Sequence, residues 1–265
     1  VSDRDPDVFS RSEYRRVIAW PERIRREAPF LERMLSPAPS RTLLDVGCGT
    51  GEHARHFAEE GWRAVGIDVA GSMISQAQDH AGETASGGSA RFELRDAAEA
   101  AALPEAPFGA ALCLGNTLAF VEEGRALGRF LRGIAAALSP GGILLLQMLN
   151  YERIESVPVR ALPVNVRPIP EEEGGGEIVF VRVFAPRSDG TLAFFPITLA
   201  LRPGREPLVE VKSAREATHR PWKRAELIAE LQGAGFGEVR AFGGMSEIPY
   251  EAATSPDLVL RARRP

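Results

Sequence analysis

One stretch constrains this chain more than any other. Leu43-Leu44-Asp45-Val46-Gly47-Cys48-Gly49-Thr50-Gly51 is an apolar run that holds an acid and passes at once into three alternate glycines. Thr42 to Val46 has the β-branched and leucine content of a strand buried on both faces. From Glu52 onward Ala54, Phe57 and Ala58 recur at helical spacing, so the glycines sit on a strand-to-helix turn. At such a turn the missing Cβ atoms let a ligand approach the backbone, and the unpaired N–H groups of the new helix face it. The spacing is G-x-G-x-G, whereas a dinucleotide turn wants G-x-G-x-x-G, and no Lys-Ser or Lys-Thr follows as in a P-loop. A carboxylate at Asp45 would repel a pyrophosphate but suits an ammonium or sulfonium group. The expected ligand is therefore cationic.

Beyond the turn, strand and helix alternate as in a parallel sheet with crossover helices. Ala64 to Asp68 is a second short strand ending in an acid. Asp68 stands where a doubly wound fold places the group that binds a ribose diol, roughly 20 residues past the first turn. Ala90 to Asp96 and Phe108 to Leu114 are the third and fourth strands, and Gly82 to Ser89 reads as a mobile loop. Leu127, Phe130, Leu131, Ile134 and Leu138 mark a helix that Ser139-Pro140-Gly141-Gly142 should stop, before a fifth strand from Ile143 to Leu149. Residues 151–220 break the pattern. The run from Glu171 to Gly176 reads as a flexible tip, and Glu177 to Phe184, Thr191 to Leu201 and Leu208 to Thr218 form an antiparallel meander. A helix around Leu227 to Leu231 and two closing strands, Glu238 to Phe242 and Asp257 to Ala262, complete the core as a hairpin. The expected fold class is thus α/β, a seven-stranded doubly wound (Rossmann-like), mostly parallel sheet with a closing antiparallel hairpin and an antiparallel β insertion. Residues 1–40 form an amino-terminal helical arm that either packs on the sheet or carries Tyr14 and Trp20 over the ligand as a lid. Residues 41–150 and 221–265 form the core, and 151–220 the insertion, which contributes to the acceptor pocket.

Composition narrows the partners. With 265 residues and a net charge of −4 in scattered signs, the chain offers no basic stripe for nucleic acid and no polybasic anchor for a membrane, so a small molecule is expected. Short apolar runs and a polar start suggest neither a signal peptide nor a spanning helix. The two cysteines, Cys48 and Cys113, look like the unpaired thiols of a cytoplasmic protein. His53 and His56 share a helix face without a nearby cysteine or an acid at ligand spacing, so no metal site is expected.

Taken in order, Asp45-Val46-Gly47-Cys48-Gly49-Thr50-Gly51, Gly66-Ile67-Asp68, Asp96, Leu138-Ser139-Pro140-Gly141-Gly142 and the closing hairpin resemble the class I S-adenosylmethionine-dependent methyltransferases, over roughly residues 41–150 and 222–263. The resemblance implies S-adenosylmethionine as cofactor. Gly47, Cys48, Gly49 and Gly51 would hold its methionine part beside Asp45, and Asp68, followed by Val69, the ribose. Met73 would pack on the adenine, Asp96 and the backbone of Ala97 would address the adenine edge, and Leu114 would border the sulfonium. The alternative for the three acids is helix capping without a ligand.

Cys113-Leu114-Gly115-Asn116-Thr117-Leu118-Ala119-Phe120 with Asn150-Tyr151 is similar to the glycine N-methyltransferase group, which methylates small amines. In that group an arginine that grips the substrate carboxylate precedes the Asn-Tyr pair. Leu149 stands there in this chain, which argues against glycine or sarcosine. Methyl transfer needs a nucleophile held in line and kept dry, with a base optional for an amine. Asn116, Tyr151 and His219 are the candidate catalytic residues, Asn116 to orient the acceptor and His219 as a base. The reading is a methyltransferase acting on a nitrogen or oxygen of a small molecule; the alternative is a catalytically silent regulatory module that keeps the cofactor site.

Overall fold

The computed structural model describes residues 14–157 and 159–265. The start of the amino-terminal arm, before residue 14, lies outside the described residues. In chain order the helices are α1 (Tyr14–Val17), α2 (Trp20–Leu35), α3 (Glu52–Glu59), α4 (Gly71–Ala77), α5 (Gly124–Ala137), α6 (Tyr151–Ser156) and α7 (Arg224–Gly233). The strands are β1 (Thr42–Val46), β2 (Arg63–Asp68), β3 (Gly82–Glu83), β4 (Ser89–Leu94), β5 (Phe108–Cys113), β6 (Leu138–Leu149), β7 (Asn165–Pro168), β8 (Glu177–Pro186), β9 (Leu192–Leu201), β10 (Val209–Ala214), β11 (Ala217–His219), β12 (Gly237–Phe242) and β13 (Asp257–Arg263).

The main sheet runs β12-β13-β6-β5-β1-β2-β4-β3. β1 pairs in parallel with both β2 and β5, β2 with β4, and β5 with β6, while β13 lies antiparallel between β6 and β12. β1 and β5 are buried throughout because helices cover both faces. Alternate residues of β1 go to opposite sides: Leu43 packs with Phe30, Leu31 and Phe57 of α2 and α3, and Leu44 and Val46 with Leu127, Leu131 and Ile134 of α5. The carboxyl ends of β1 and β2 therefore open on one crevice beside the glycine turn.

Several local readings change. The sheet has eight strands rather than seven, because the supposed mobile loop forms the two-residue β3 and is pinned by Thr84 and Ser86, whose hydroxyls both donate to the Ala58 carbonyl. The Ser139-Pro140-Gly141-Gly142 signal does end α5, yet it lies within the long β6, where the register against β5 shifts between Phe108 and Ala110. The insertion holds five strands instead of three. β7 is added, and Leu208 to Thr218 divides into β10 and β11, which pair with successive stretches of the same β9 edge. Arg215 and Glu216 form the break between them. The acidic-glycine run is ordered, with a 3₁₀ turn over Glu171–Glu173, an Arg16–Glu173 ion pair at 2.7 Å and three glycines at positive φ. Among the described residues, no helix is long and apolar enough to cross a membrane.

Candidate functional site

The glycine turn is lashed to β2. The N–H groups of Gly47 and Cys48 both donate to the Ile67 carbonyl, at 2.8 and 3.1 Å. Asp68, at the end of β2, accepts from Gly49 N–H through Oδ2 and from Ala70 N–H through Oδ1, each at 2.9 Å. One carboxylate thus fixes both loops that line the crevice. All three turn glycines have positive φ, but they serve different ends. A Cβ on Gly47 would stand 2.4 Å from Thr117, and one on Gly51 2.7 Å from the Phe92 ring, whereas nothing lies within 4 Å of that position on Gly49. Gly49 is the one glycine of the turn whose Cβ position meets open space. Gly51 does not line the cavity, and its Cβ position is filled by the Phe92 ring.

In front of the turn lies a cavity of about 790 Å³, lined by Asp45, Gly47, Cys48, Gly49, Asp68, Val69, Met73, Asp96, Ala97 and Leu114. Every other expected cofactor residue is therefore present on one surface. The Cys48 thiol faces the interior, with Sγ 2.9 Å from where a Cβ on Gly66 would stand. Asp96 combines both readings: it lines the cavity and caps the following 3₁₀ helix by accepting from Ala98 N–H at 2.8 Å.

Asp45 supplies the test of fit. It is 2% exposed, and its Oδ2 has no hydrogen-bond partner. Burial pushes its carboxyl up to about 6. A buried acceptor left orphaned beside an open glycine is costly unless a cationic ligand meets it. That arrangement fits the ammonium and sulfonium of S-adenosylmethionine.

A second cavity, of about 350 Å³, opens beside the first, and Tyr14, Arg23, Gly115 and Phe120 line both. Asn116, Leu149 and His219 line the second, but Tyr151 lines neither and stands behind them. The polar chain there runs in one direction. Leu149 N–H donates to Asn116 Oδ1 at 3.1 Å, which turns Asn116 Nδ2 to donate to Tyr151 Oη at 2.8 Å. The Tyr151 proton then goes to His219 Nδ1, 3.0 Å away, because any other assignment leaves that buried hydroxyl without an acceptor. His219 is thereby held as the Nε2–H tautomer, and Nε2 has no partner. Burial among Phe120, Phe184 and Phe194 pushes its pKa down to about 3. The ring therefore offers a donor where the sequence suggested a base.

A wall from α2 was only partly visible in the sequence. Arg23 Nε donates to Glu27 Oε1 at 3.0 Å, its guanidinium lies over the Trp20 ring, and His53 Nε2 meets Glu27 Oε2 at 3.0 Å. Trp20, Arg23 and His53 line the first cavity. The i, i+4 spacing of Arg23 and Glu27 was a usable signal, but their link to His53 was not. Arg187, Arg215, Glu216 and Thr218 from the insertion line the opposite wall, and no motif marked them. Asp257, at the start of β13, lines the second cavity with Gln147, and burial pushes its carboxyl up.

Residues 43–142 match a family described as a methyltransferase domain. The chain is 32% identical over 144 residues to a glycine/sarcosine N-methyltransferase of Parasynechococcus marenigrum (strain WH8102), covering 52% of this chain and 49% of that one. It spans about half the length, or less, of the first curated relatives it matches. Two solved structures extend the likeness in fold to almost the whole chain. An S-adenosylmethionine-dependent methyltransferase from Clostridium acetobutylicum ATCC 824 superposes with a TM-score of 0.70 at 13% identity, covering 91% of each chain. The sugar N-methyltransferase KedS8 from Streptoalloteichus sp ATCC 53650 does so with 0.67 at 21% identity, covering 98% of this chain and 92% of that one. The glycine turn, the strand order and the domain match over residues 43–142 all liken this chain to the S-adenosylmethionine-dependent methyltransferases.

Proposed function

We propose that the protein is an S-adenosylmethionine-dependent methyltransferase acting on a nitrogen or oxygen of a small molecule held in the second cavity. The observation that carries this is the unpartnered Oδ2 of the buried Asp45 carboxylate beside Gly49, in a cavity that adjoins a second chamber of small-molecule size. When bound, the cofactor supplies a methyl group on a sulfonium centre, whose sulfide leaving group needs no acid.

The chain's own residues have the remaining tasks. Asp45 balances the cationic end, Asp68 accepts from ribose hydroxyls, and Arg23 offers a guanidinium to a carboxylate. Asn116 stands at the end of β5 with one N–H still unused, near the shared wall at Gly115 and Phe120, where it orients the acceptor. The ring of Phe120 and the neighbouring Phe194 keep water from the chamber. His219 donates to the acceptor. Burial also raises the Tyr151 pKa, so the phenol stays protonated. Asp257, the carboxyl there that burial raises, is the group to take a proton. An amine arriving neutral needs little more, which favours nitrogen. Cys48 and Cys113 are free thiols, which supports the cytoplasmic setting of this reading.

Titration calorimetry tests the cofactor. The intact protein should bind S-adenosylmethionine and S-adenosylhomocysteine, and Asp68→Ala should weaken both by about 2 kcal/mol, roughly 30-fold. Absence of binding by the intact protein ends the reading. Binding without transfer of labelled methyl to any member of a metabolite panel assigns the chain to the silent regulatory class instead.

A further inference from the structure

The insertion sheet turns one face to the second cavity. Residues opposed across antiparallel strands share a face, and the register pairs Asn165 with Phe180, Arg167 with Ile178, and Arg182 with Pro196. Asn165, Arg167, Phe180 and Arg182 accordingly line the chamber together. Two guanidiniums on the covered face of a sheet are unusual, since such a face normally carries apolar side chains.

Neither guanidinium is compensated. Arg182 Nη2 donates to the Pro163 carbonyl at 3.0 Å and to Asn165 Oδ1 at 3.4 Å, and its guanidinium lies over the Phe180 ring. Arg167 Nη1 donates to the Val166 carbonyl at 2.7 Å. The Nε of each is buried with no partner, and among the described residues neither arginine forms an ion pair. Burial also lowers the Arg182 pKa. The acids of the chamber are engaged elsewhere or lie apart: Glu27 holds Arg23 and His53, and Asp257 is hydrogen-bonded with Gln147. Glu22 and Arg26 also line it. Two half-buried guanidiniums, each with a buried unpartnered Nε and no acid beside it, are suited to a ligand that brings the missing negative charge.

We propose that the acceptor carries an anionic group, a carboxylate or a phosphate monoester, which Arg182 of β8 holds with Arg167 of β7 beside it. This rests on the methyltransferase reading and adds a substrate class to it. A guanidinium presents paired N–H donors to either oxyanion, so recognition is directional as well as electrostatic. The carboxylate of the cofactor is not the group meant, because Arg182 does not line the first cavity and Arg23 does. Leu149, on the same chamber, contributes no charge.

Acetate and methyl phosphate, titrated at constant ionic strength into protein saturated with S-adenosylhomocysteine, test the site and tell its two oxyanions apart. Saturable binding of at least one is expected. Arg182→Gln should weaken it tenfold or more, Arg182→Lys should retain part, and both variants should keep the wild-type affinity for S-adenosylhomocysteine, which shows that they fold. Equal anion affinity in wild type and Arg182→Gln, or no saturable binding of either anion by wild type, overturns the proposal. If S-adenosylhomocysteine itself does not bind, the methyltransferase reading fails separately, and the same titration of ligand-free protein still decides the role of Arg182.

Discussion

Asp45 shows how one residue can cost stability and serve a ligand. Its carboxyl, at about 6 when folded, has an ordinary value of 3.8, so the folded state binds the proton more tightly than the unfolded chain. Its ionisation therefore costs nothing below 3.8, costs progressively more between 3.8 and about 6, and the full cost persists above. At pH 7.5 Asp45→Asn should stabilise the ligand-free protein by up to about 3 kcal/mol in urea unfolding, while weakening S-adenosylmethionine binding at least tenfold. Wild-type affinity for the same ligand should fall as pH drops through 6, which calorimetry across a pH series would show. An unchanged unfolding midpoint together with unchanged affinity would remove Asp45 from the site. At this scale the sequence was most informative, because acid and glycines are neighbours in the chain. It could not show that the ring of Phe92 constrains Gly51, or which edge of His219 is free.

Elements are joined by contacts that local patterning does not announce. α2 is held to α3 by Glu27, which is buried between Arg23 and His53. Burial alone would raise the Glu27 pKa, but the hydrogen bond from His53 and the charge of Arg23 bring it down to about 2, against an ordinary 4.5. The folded state thus binds that proton less tightly, so the stabilisation is complete above 4.5 and is lost as pH falls towards 2. Glu27→Gln should cost on the order of 3 kcal/mol at neutral pH and flatten the acid limb of stability, measured by urea unfolding at several pH values. An acid limb identical to wild type would show that the pair contributes little. Asn150 plays a comparable part at the start of the insertion. Its Oδ1 caps α6 and accepts from Tyr250, while Nδ2 donates to the Ala252 and Ser255 carbonyls. The Asn150-Tyr151 pair carried a family resemblance in the sequence, and in the fold Asn150 anchors the loop before β13.

Over the whole molecule, the cavities lie between three parts distant in sequence: the carboxyl ends of β1, β2 and β5, the wall formed by α1 and α2, and the insertion sheet. Filling the first cavity should therefore quieten the covering parts more than the core. Hydrogen exchange with saturating S-adenosylhomocysteine is expected to slow over α2 and from Ala214 to His219, with little change in β5, which is already buried throughout. Slowing confined to the glycine turn would mean that neither cover responds to the ligand.

Apart from the two-residue β3, the order of strands and helices from β1 to β6, the glycine turn and its cationic preference, and the closing hairpin were determined by the sequence itself, since each rests on periodicity or chemistry within a few neighbouring residues. The tertiary structure decided the rest. It divided the last insertion strand along one β9 edge, set Tyr151 behind Asn116 and His219, and brought Arg167 and Arg182 to the chamber that Leu149 leaves uncharged. Those outcomes depend on which face of one element meets another across long stretches of chain. No local pattern carries that information, because the same arginines on an uncovered strand would only be solvated.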